Sequence, residues 1–269
     1  LSRLCETDAA LALRQDKTSG HSVLRLQGPI HLRQTLSQLA EDFGVEVTAE
    51  PTVPQYRETI SASVSELYRH RKQSGGAGQF ADVALTIEPL PRGVGFQFSE
   101  TVKGGAVPRN YIPAVEEGAR EALAKGPLGF SVIDLSVTLT DGKFHAVDSS
   151  DFAFRTAGRQ GVKEALTKAA PVLLQPVLQV ELHIPSVFSG AMVSLISSLK
   201  GQVLGFDRDP AYRGWDIFRA LLPASAEDEL VSALGSATQG TAWHEATFDH
   251  FEELFGREAE AITKSEHAA

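Results

Sequence analysis

The sequence predicts an α+β protein made of three α/β-sandwich modules. Three observations carry this. Alternating strand-like runs and helical apolar stripes follow one another throughout the chain. Proline-containing breaks near residues 51–56 and 170–176 divide it. The last third reads β-α-β-β-α-β, the order of a split βαβ unit. At 269 residues the chain is long for one compact domain, and 42% hydrophobic with 22% charged residues suits soluble domains with real cores.

In the first module, residues 1–55, Leu1, Leu4 and Cys5 sit at helical spacing. Lys17-Thr18-Ser19-Gly20 is a turn signal between Leu11–Arg14 and the alternating Val23-Leu24-Arg25-Leu26. After Gly28-Pro29, the residues Ile30, Leu32, Leu36, Leu39 and Phe43 recur at near-helical spacing, and Gly44 is a stop signal. Val45-Glu46-Val47 reads as a strand, so this module has the split βαβ order without its opening strand.

The second module, residues 56–171, opens with Ile60, Ala62 and Val64 at alternate positions and returns through Ala81, Val83, Leu85 and Ile87. That is a long β-hairpin with a glycine tip, Gly75-Gly76-Ala77-Gly78. Ile112, Val115, Ala119, Ala122 and Leu123 make a helical stripe, stopped by Gly126-Pro127. Val132 through Leu139 is β-branched and strand-like, and Thr140-Asp141-Gly142-Lys143 reads as a turn. Asp148, Ser149 and Ser150 are N-cap residues for a helix with one face of Phe154, Ala157, Gly158, Gly161, Val162, Ala165, Leu166 and Ala169. Such small residues predict close packing.

The third module spans residues 172–258. Leu178, Val180, Leu182 and Ile184 alternate with polar residues as a half-buried strand. Helices are expected over 186–199 and 225–234, strands over 203–207, 215–222 and 241–251. The tail 259–269 is polar and expected to fray.

Charge is uneven. The net formal charge is −9; residues 1–56 carry −2, residues 57–170 carry +1 and residues 171–269 carry −8. An anionic partner is therefore expected on the middle module. There Arg69, Arg71 and Lys72 precede the glycine turn, which suits close approach to a polyanion. No apolar run nears the roughly 18–20 residues of a bilayer crossing. The N-terminus lacks a signal-peptide pattern and an initiator Met, so it is expected to be an interior cut or a processed end. The lone Cys5 excludes an internal disulfide framework and cysteine-rich zinc sites.

Several chemistries lack their motifs. No GxxxxGK[ST] loop is present to cradle GTP or ATP, and Gly75-Gly76-Ala77-Gly78 has neither the spacing nor the context of a dinucleotide fingerprint. No HExxH pair accompanies His70 or His145. Ser149, His145 and Asp148 make a triad on paper only, because no GxSxG elbow exists and Ser149 reads as a helix cap. Topology points elsewhere: the turn at 74–78 and the strand-to-helix loop at 143–150 can share one end of the module. His145 would then reach the same anionic partner, as a donor or a stacking group.

These segments carry a family likeness. Gly28-Pro29-Ile30-His31-Leu32, Tyr56-Arg57-Glu58-Thr59-Ile60, His70 through Phe80, Lys103 through Pro108, Tyr111 through Val115, Lys143 through Ser150, Pro171 through Pro176 and Thr238-Gln239-Gly240 resemble, in order, the C-terminal half of translation elongation factor G. The resemblance implies its third, fourth and fifth domains: two ferredoxin-like modules flanking an elongated ribosomal-protein-S5-like domain. It implies that the tip of the middle domain enters the decoding region of the small ribosomal subunit. By matching, Arg71, Lys72, Gln73, Ser74, Gly75, Gly76 and Gln79 lie on one tip loop, with His145, Asp148, Ser149 and Ser150 on the other. Implied partners are the ribosome with its rRNA, tRNA and mRNA, for a cytoplasmic, monomeric protein without a membrane. No cofactor is expected in this chain; GTP and Mg2+ belong to the family's N-terminal half. Ser198-Leu199-Lys200-Gly201 stands where the family commonly has Arg-Arg-Gly, and Thr241 where a basic residue commonly follows Thr-Gln-Gly. These departures imply a divergent paralogue, acting in translocation or, alternatively, as a ribosome-binding regulator or tetracycline-protection-type factor.

Overall fold

The computed structural model describes residues 1–15, 22–50, 52–72 and 78–268, and has an α+β architecture. The expected turn at Lys17–Gly20 and the loop residues Gln73, Ser74, Gly75 and Gly76 lie outside the described residues. The chain forms two compact units, one of residues 1–54 and 179–247, the other of residues 55–178 and 248–269.

The chain begins with helix α1 (Ser2–Thr7), the antiparallel pair β1 (Ala12–Gln15) and β2 (Ser22–Arg25), and helix α2 (Pro29–Phe43). Pro29 at the first helical position costs no hydrogen bond, and Gly44 ends the helix at φ 63° with its N–H on Ala40 O. Leu4, Leu11 and Leu39 form a small buried cluster. The expected strand Val45–Val47 does not form: both valines are nearly half exposed, and no strand among the described residues pairs with them. An unpaired three-residue strand gains no ladder bonds over solvent.

In the other unit, β3 (Arg57–Ile60) is followed by a long hairpin, β4 (Val64–Lys72) and β5 (Gln79–Pro89). The expected hairpin start at Ile60 is corrected. Ile60 belongs to β3, which pairs antiparallel with Pro171–Leu174 rather than with β5. That pairing also removes the expected linker at 170–176. Then come β6 (Phe96–Glu100), α3 (Ile112–Ala122), β7 (Leu135–Lys143) and α4 (Asp151–Lys168). The sheet order is β4-β5-β7-β6, with β6 parallel to β7 across the α3 crossover. Sequence reasoning missed β6, although its half-buried Phe96 and Phe98 alternate with the exposed Gln97 and Ser99.

The expected turn at Thr140–Lys143 is instead the end of β7. β5 is long enough to pair Ala84, Val83 and Asp82 with Asp141, Gly142 and Lys143. The register shifts between Ala84 and Leu85, and Thr140 Oγ1 donates to Ala84 O at 3.1 Å. Gly142 serves close packing: a Cβ there would sit 2.4 Å from Asp82 O.

Ala81, Val83, Leu85 and Ile87 of β5 and Val137 and Leu139 of β7 pack under α3 and α4. α4 buries Phe154, Ala157, Gly158, Gly161, Val162, Ala165 and Leu166, the face read from the sequence. The two helices meet backbone to backbone. A Cβ on Gly118 would lie 2.1 Å from Arg155 O, and one on Gly158 2.7 Å from Val115 O.

Glu58 is fully buried on β3 and accepts N–H bonds from Leu128 at 2.9 Å and Phe130 at 3.1 Å. Burial pushes its carboxyl up to about 7, against the lowering effect of these N–H groups. No pattern in the sequence signals this, because Glu58 stands in an otherwise ordinary strand.

The chain continues as β8 (Pro171–Pro185), α5 (Ser189–Ser198), β9 (Gln202–Arg208), β10 (Trp215–Pro223), α6 (Glu227–Ala237), β11 (Trp243–Leu254) and α7 (Gly256–Ala268). The strand order β11-β8-β10-β9 is that of a split βαβ module, as expected. α6 runs past the expected stop at Gly235 to Ala237. Within the 1–54 and 179–247 unit, the His183 ring stacks on Trp243 at 3.7 Å and 4°, and its Nδ1 lies 2.9 Å from Asp209 Oδ2. That hydrogen bond, with the N–H groups of Ala211 and Tyr212, holds Asp209 below the usual carboxylate range.

The frayed tail is also corrected, since residues 256–268 are helical. Ala259, Ile262, Thr263 and Glu266 are half-buried at one-face spacing, and Lys125 Nζ lies 3.9 Å from Glu266 Oε1. A mostly polar face of this kind leaves little hydrophobic signal in the sequence.

Candidate nucleic-acid interface

The end of the β4–β5 hairpin and the loop between β7 and α4 come together. Pairing Arg71 with Phe80 and Lys72 with Gln79 brings the basic end of β4 beside the start of β5. The loop is then fastened to β5 through the main chain. Phe80 N–H donates to Asp148 O at 2.9 Å, and Ser149 Oγ donates to Phe80 O at 2.7 Å. Gly78 packs so closely that a Cβ would meet Asp148 Oδ1 at 2.7 Å.

Inside the loop, Ser149 Oγ also accepts the His145 N–H at 2.9 Å, and Ser149 N–H donates to His145 O at 3.1 Å. Ser149 is therefore a clasp and not the helix cap expected from the sequence. The cap is Ser150, whose Oγ accepts from Ala153 N–H at 3.2 Å. The clasp wins because Phe80 O and His145 N–H both lie within reach of one hydroxyl, which can donate once and accept as well. Tyr111, stacked on Phe154 at 4.7 Å, adds a contact from its hydroxyl to Ser149 O at 3.4 Å.

His145 is half exposed, with its ring 6.0 Å from that of Phe80. Its Nδ1 faces the Asp148 N–H at 3.2 Å and lies 3.2 Å from Asp148 Oδ2. A neutral ring accepts from the N–H; a protonated Nδ1 donates to the carboxylate. Either way the loop engages Nδ1, and Nε2 has no hydrogen-bond partner among the described residues. The paper triad is not assembled, because the Ser149 hydroxyl donates to Phe80 O instead of to imidazole.

Of the sequence-derived site residues, the structure therefore brings together Arg71, Lys72, Gln79, His145, Asp148, Ser149 and Ser150. Gln79 Oε1 lies 2.8 Å from His70 Nε2. Sequence reasoning missed Phe80, which holds the loop by both backbone groups and carries the Arg71 guanidinium 5.0 Å above its ring. It also missed Asp82, buried and 3.3 Å from Arg71. Counting hairpin register outward from Gly75-Gly76 places Arg71 opposite Phe80 and Arg69 opposite Asp82, so the signal was available. Among the described residues, no group of three or more His, Cys, Asp or Glu could hold a metal ion, and no helix is long and apolar enough to cross a membrane.

Comparison with known proteins fits this arrangement. Residues 51–170 match the family model for elongation factor G, domain IV, and residues 172–262 match that for the elongation factor G C-terminus. The chain belongs to the elongation factor G family. A protein of Synechocystis sp. described as "Elongation factor G-like protein" is 42% identical over 255 residues, 94% of this chain and 38% of its own length. A crystal structure from Thermus thermophilus matches with a TM-score of 0.87 and 31% identity, over 100% of this chain and 40% of the other. The chain thus spans about two fifths of the length of these relatives. It holds the C-terminal domains of a translational GTPase family; no GTPase domain is matched within it.

Proposed function

We propose that this chain is the ribosome-binding C-terminal portion of an elongation-factor-G-like translational GTPase, and that its paired tip loops act as a wedge in the decoding region. The observation that carries the proposal is the fastening of the 144–150 loop to β5 at Phe80, which sets His145 beside the basic end of the hairpin. Such a tip contacts tRNA or mRNA by its backbone and 2′-hydroxyls, with Arg71 and Lys72 near phosphate and His145 donating or stacking. This is binding chemistry; no bond is made or broken here. GTP and Mg2+ would be held by residues outside this chain.

In the whole protein, His145→Ala is expected to slow tRNA–mRNA translocation on ribosomes while leaving the fold intact. Translocation at the wild-type rate would contradict the wedge. A second reading, a ribosome-binding regulator or protection-type factor, is favoured by two observations: residues 171–269 carry −8, and Thr241 stands where a basic residue is common. Ribosome binding by the whole protein without any translocation would select it.

A further inference from the structure

The sheet that carries the tip has an open face. Ala81, Val83, Leu85 and Ile87 point to α3 and α4, so the alternate residues Phe80 and Asp82 point the other way. Directly paired residues share a face, which places two cross-strand rows there. One row is Arg71 and Phe80, with His145 tilted beside Phe80 at 6.0 Å. The other is Arg69, Asp82 and Lys143. All of these lie within the described residues.

The second row is unusual in its charges. Asp82 is 2% exposed, yet it stands between two cations whose own residues are exposed. Its Oδ2 takes Arg71 at 3.3 Å and has Arg69 Nε at 3.8 Å. Its Oδ1 is buried with no hydrogen-bond partner among the described residues. A buried carboxylate with an unmatched oxygen is costly, and surface ion pairs alone repay little. What the arrangement does achieve is order: it pins two long arginine side chains against a flat sheet.

We propose that this face is a second RNA-contacting surface, a plate on which Arg69, Arg71 and Lys143 hold the phosphates of an RNA helix and Asp82 is the positioning residue that aims the arginines. The strands lie about 4.8 Å apart, so Arg69 and Lys143 leave the sheet about 10 Å from one another. A flat surface of that width suits the wide, shallow minor groove of A-form RNA and the phosphates along it. The Arg71 guanidinium, held over Phe80, offers its outer plane to a sugar or base. Farther along, the face carries no cation on these paired rows: the next row is Leu67, Ala84 and the exposed Asp141, then Ser65 pairs with Thr86 at 2.8 Å and Ser99 with Thr138 at 2.9 Å, and Glu88 stands opposite Ser136. The cations are thus confined to the tip end. The inference rests on the ribosome reading and adds to it a second surface, distinct from the glycine turn.

The test uses this chain and a labelled duplex RNA of about 20 base pairs, followed by fluorescence anisotropy from about 50 to 200 mM salt, with single-stranded RNA as a second arm. Arg69→Gln and Lys143→Gln are each expected to weaken duplex binding severalfold and to reduce the salt slope by about 1. Lys163→Gln, which removes the same charge from the exposed side of α4, is expected to bind as wild type. Asp82→Asn is decisive. Counting charge alone, loss of an anion tightens binding; if Asp82 aims the arginines, binding weakens about threefold or more. Circular dichroism checks that this variant folds, and if it does not, the Arg69 and Lys143 variants decide. Wild-type duplex affinity in both of those variants, tighter binding by folded Asp82→Asn, or binding confined to single strands would overturn the plate. Ribosome pelleting of the whole protein separates the two ideas. Retention of the plate variants with loss of His145→Ala removes the plate and keeps the wedge; failure of the wild-type protein itself to pellet with ribosomes removes the ribosome reading.

Discussion

Replacing Ser149 by alanine tests how the tip is held. The hydroxyl makes two hydrogen bonds, donating to Phe80 O at 2.7 Å and accepting from His145 N–H at 2.9 Å. A net hydrogen bond is worth about 0.5–1.5 kcal/mol, so the variant should lose about 1–3 kcal/mol of loop closure. The Phe80 N–H to Asp148 O bond remains, so the loop opens more often without being released. At about 1.4 kcal/mol per factor of ten, the open population rises roughly 5- to 150-fold. Native-state hydrogen exchange reads this directly at the Phe80 and Ser149 amides, both bonded within the closed loop. Exchange at these amides within twofold of wild type, in a folded variant, would refute the clasp.

Three further outcomes are expected. Gly118→Ala forces a methyl to within 2.1 Å of Arg155 O, so α3 and α4 must separate; urea unfolding should show a loss of about 2–3 kcal/mol, whereas an unchanged midpoint would mean the helices do not meet as described. Glu58 holds its proton to about 7 in the folded chain against 4.5 as its ordinary value, so its contribution is fully present below about 4.5 and is lost as pH rises to about 7. Unfolding free energy should therefore fall over that window by an amount on the order of 3 kcal/mol, and Glu58→Gln should flatten the slope; an equal slope in both proteins would contradict the assignment. His183→Ala strips the stacked ring from Trp243 and the partner from buried Asp209, which should cost about 2–4 kcal/mol and red-shift tryptophan emission; unaltered emission would count against the stack.

Much of this architecture is legible in the sequence where one period dominates. The α4 face is readable residue by residue, because small and apolar side chains recur at helical spacing and nothing polar interrupts them. The hairpin is readable because its alternation runs on both sides of a glycine turn. The failures have local causes. Asp141-Gly142 has the chemistry of a turn, but a long neighbouring strand offers it a ladder, and the tertiary pairing prevails. Val45–Val47 has strand chemistry with no strand to join among the described residues. α7 half-buries a face that includes Thr263 and Glu266 as well as Ala259 and Ile262, so its contacts show only weakly in hydrophobic periodicity. At the site, His145, Asp148 and Ser149 are foreseeable as a cluster, yet the clasp role of Ser149 depends on Phe80 O, a backbone atom 69 residues away in sequence. Main-chain partners of that kind leave no mark on residue identity.

The proposed function stands on one contact, that of the loop beside the hairpin end with the ribosomal decoding region. Val147 is 82% exposed on that loop and accepts a photoreactive side chain without disturbing the clasp. Cross-linking the whole protein from position 147 to ribosomes, then mapping the attached RNA, tests the contact directly. Adducts are expected in the decoding region of the small-subunit rRNA, or in the tRNA and mRNA bound there. Adducts confined to the large subunit, or none at concentrations that saturate ribosome binding, would contradict it.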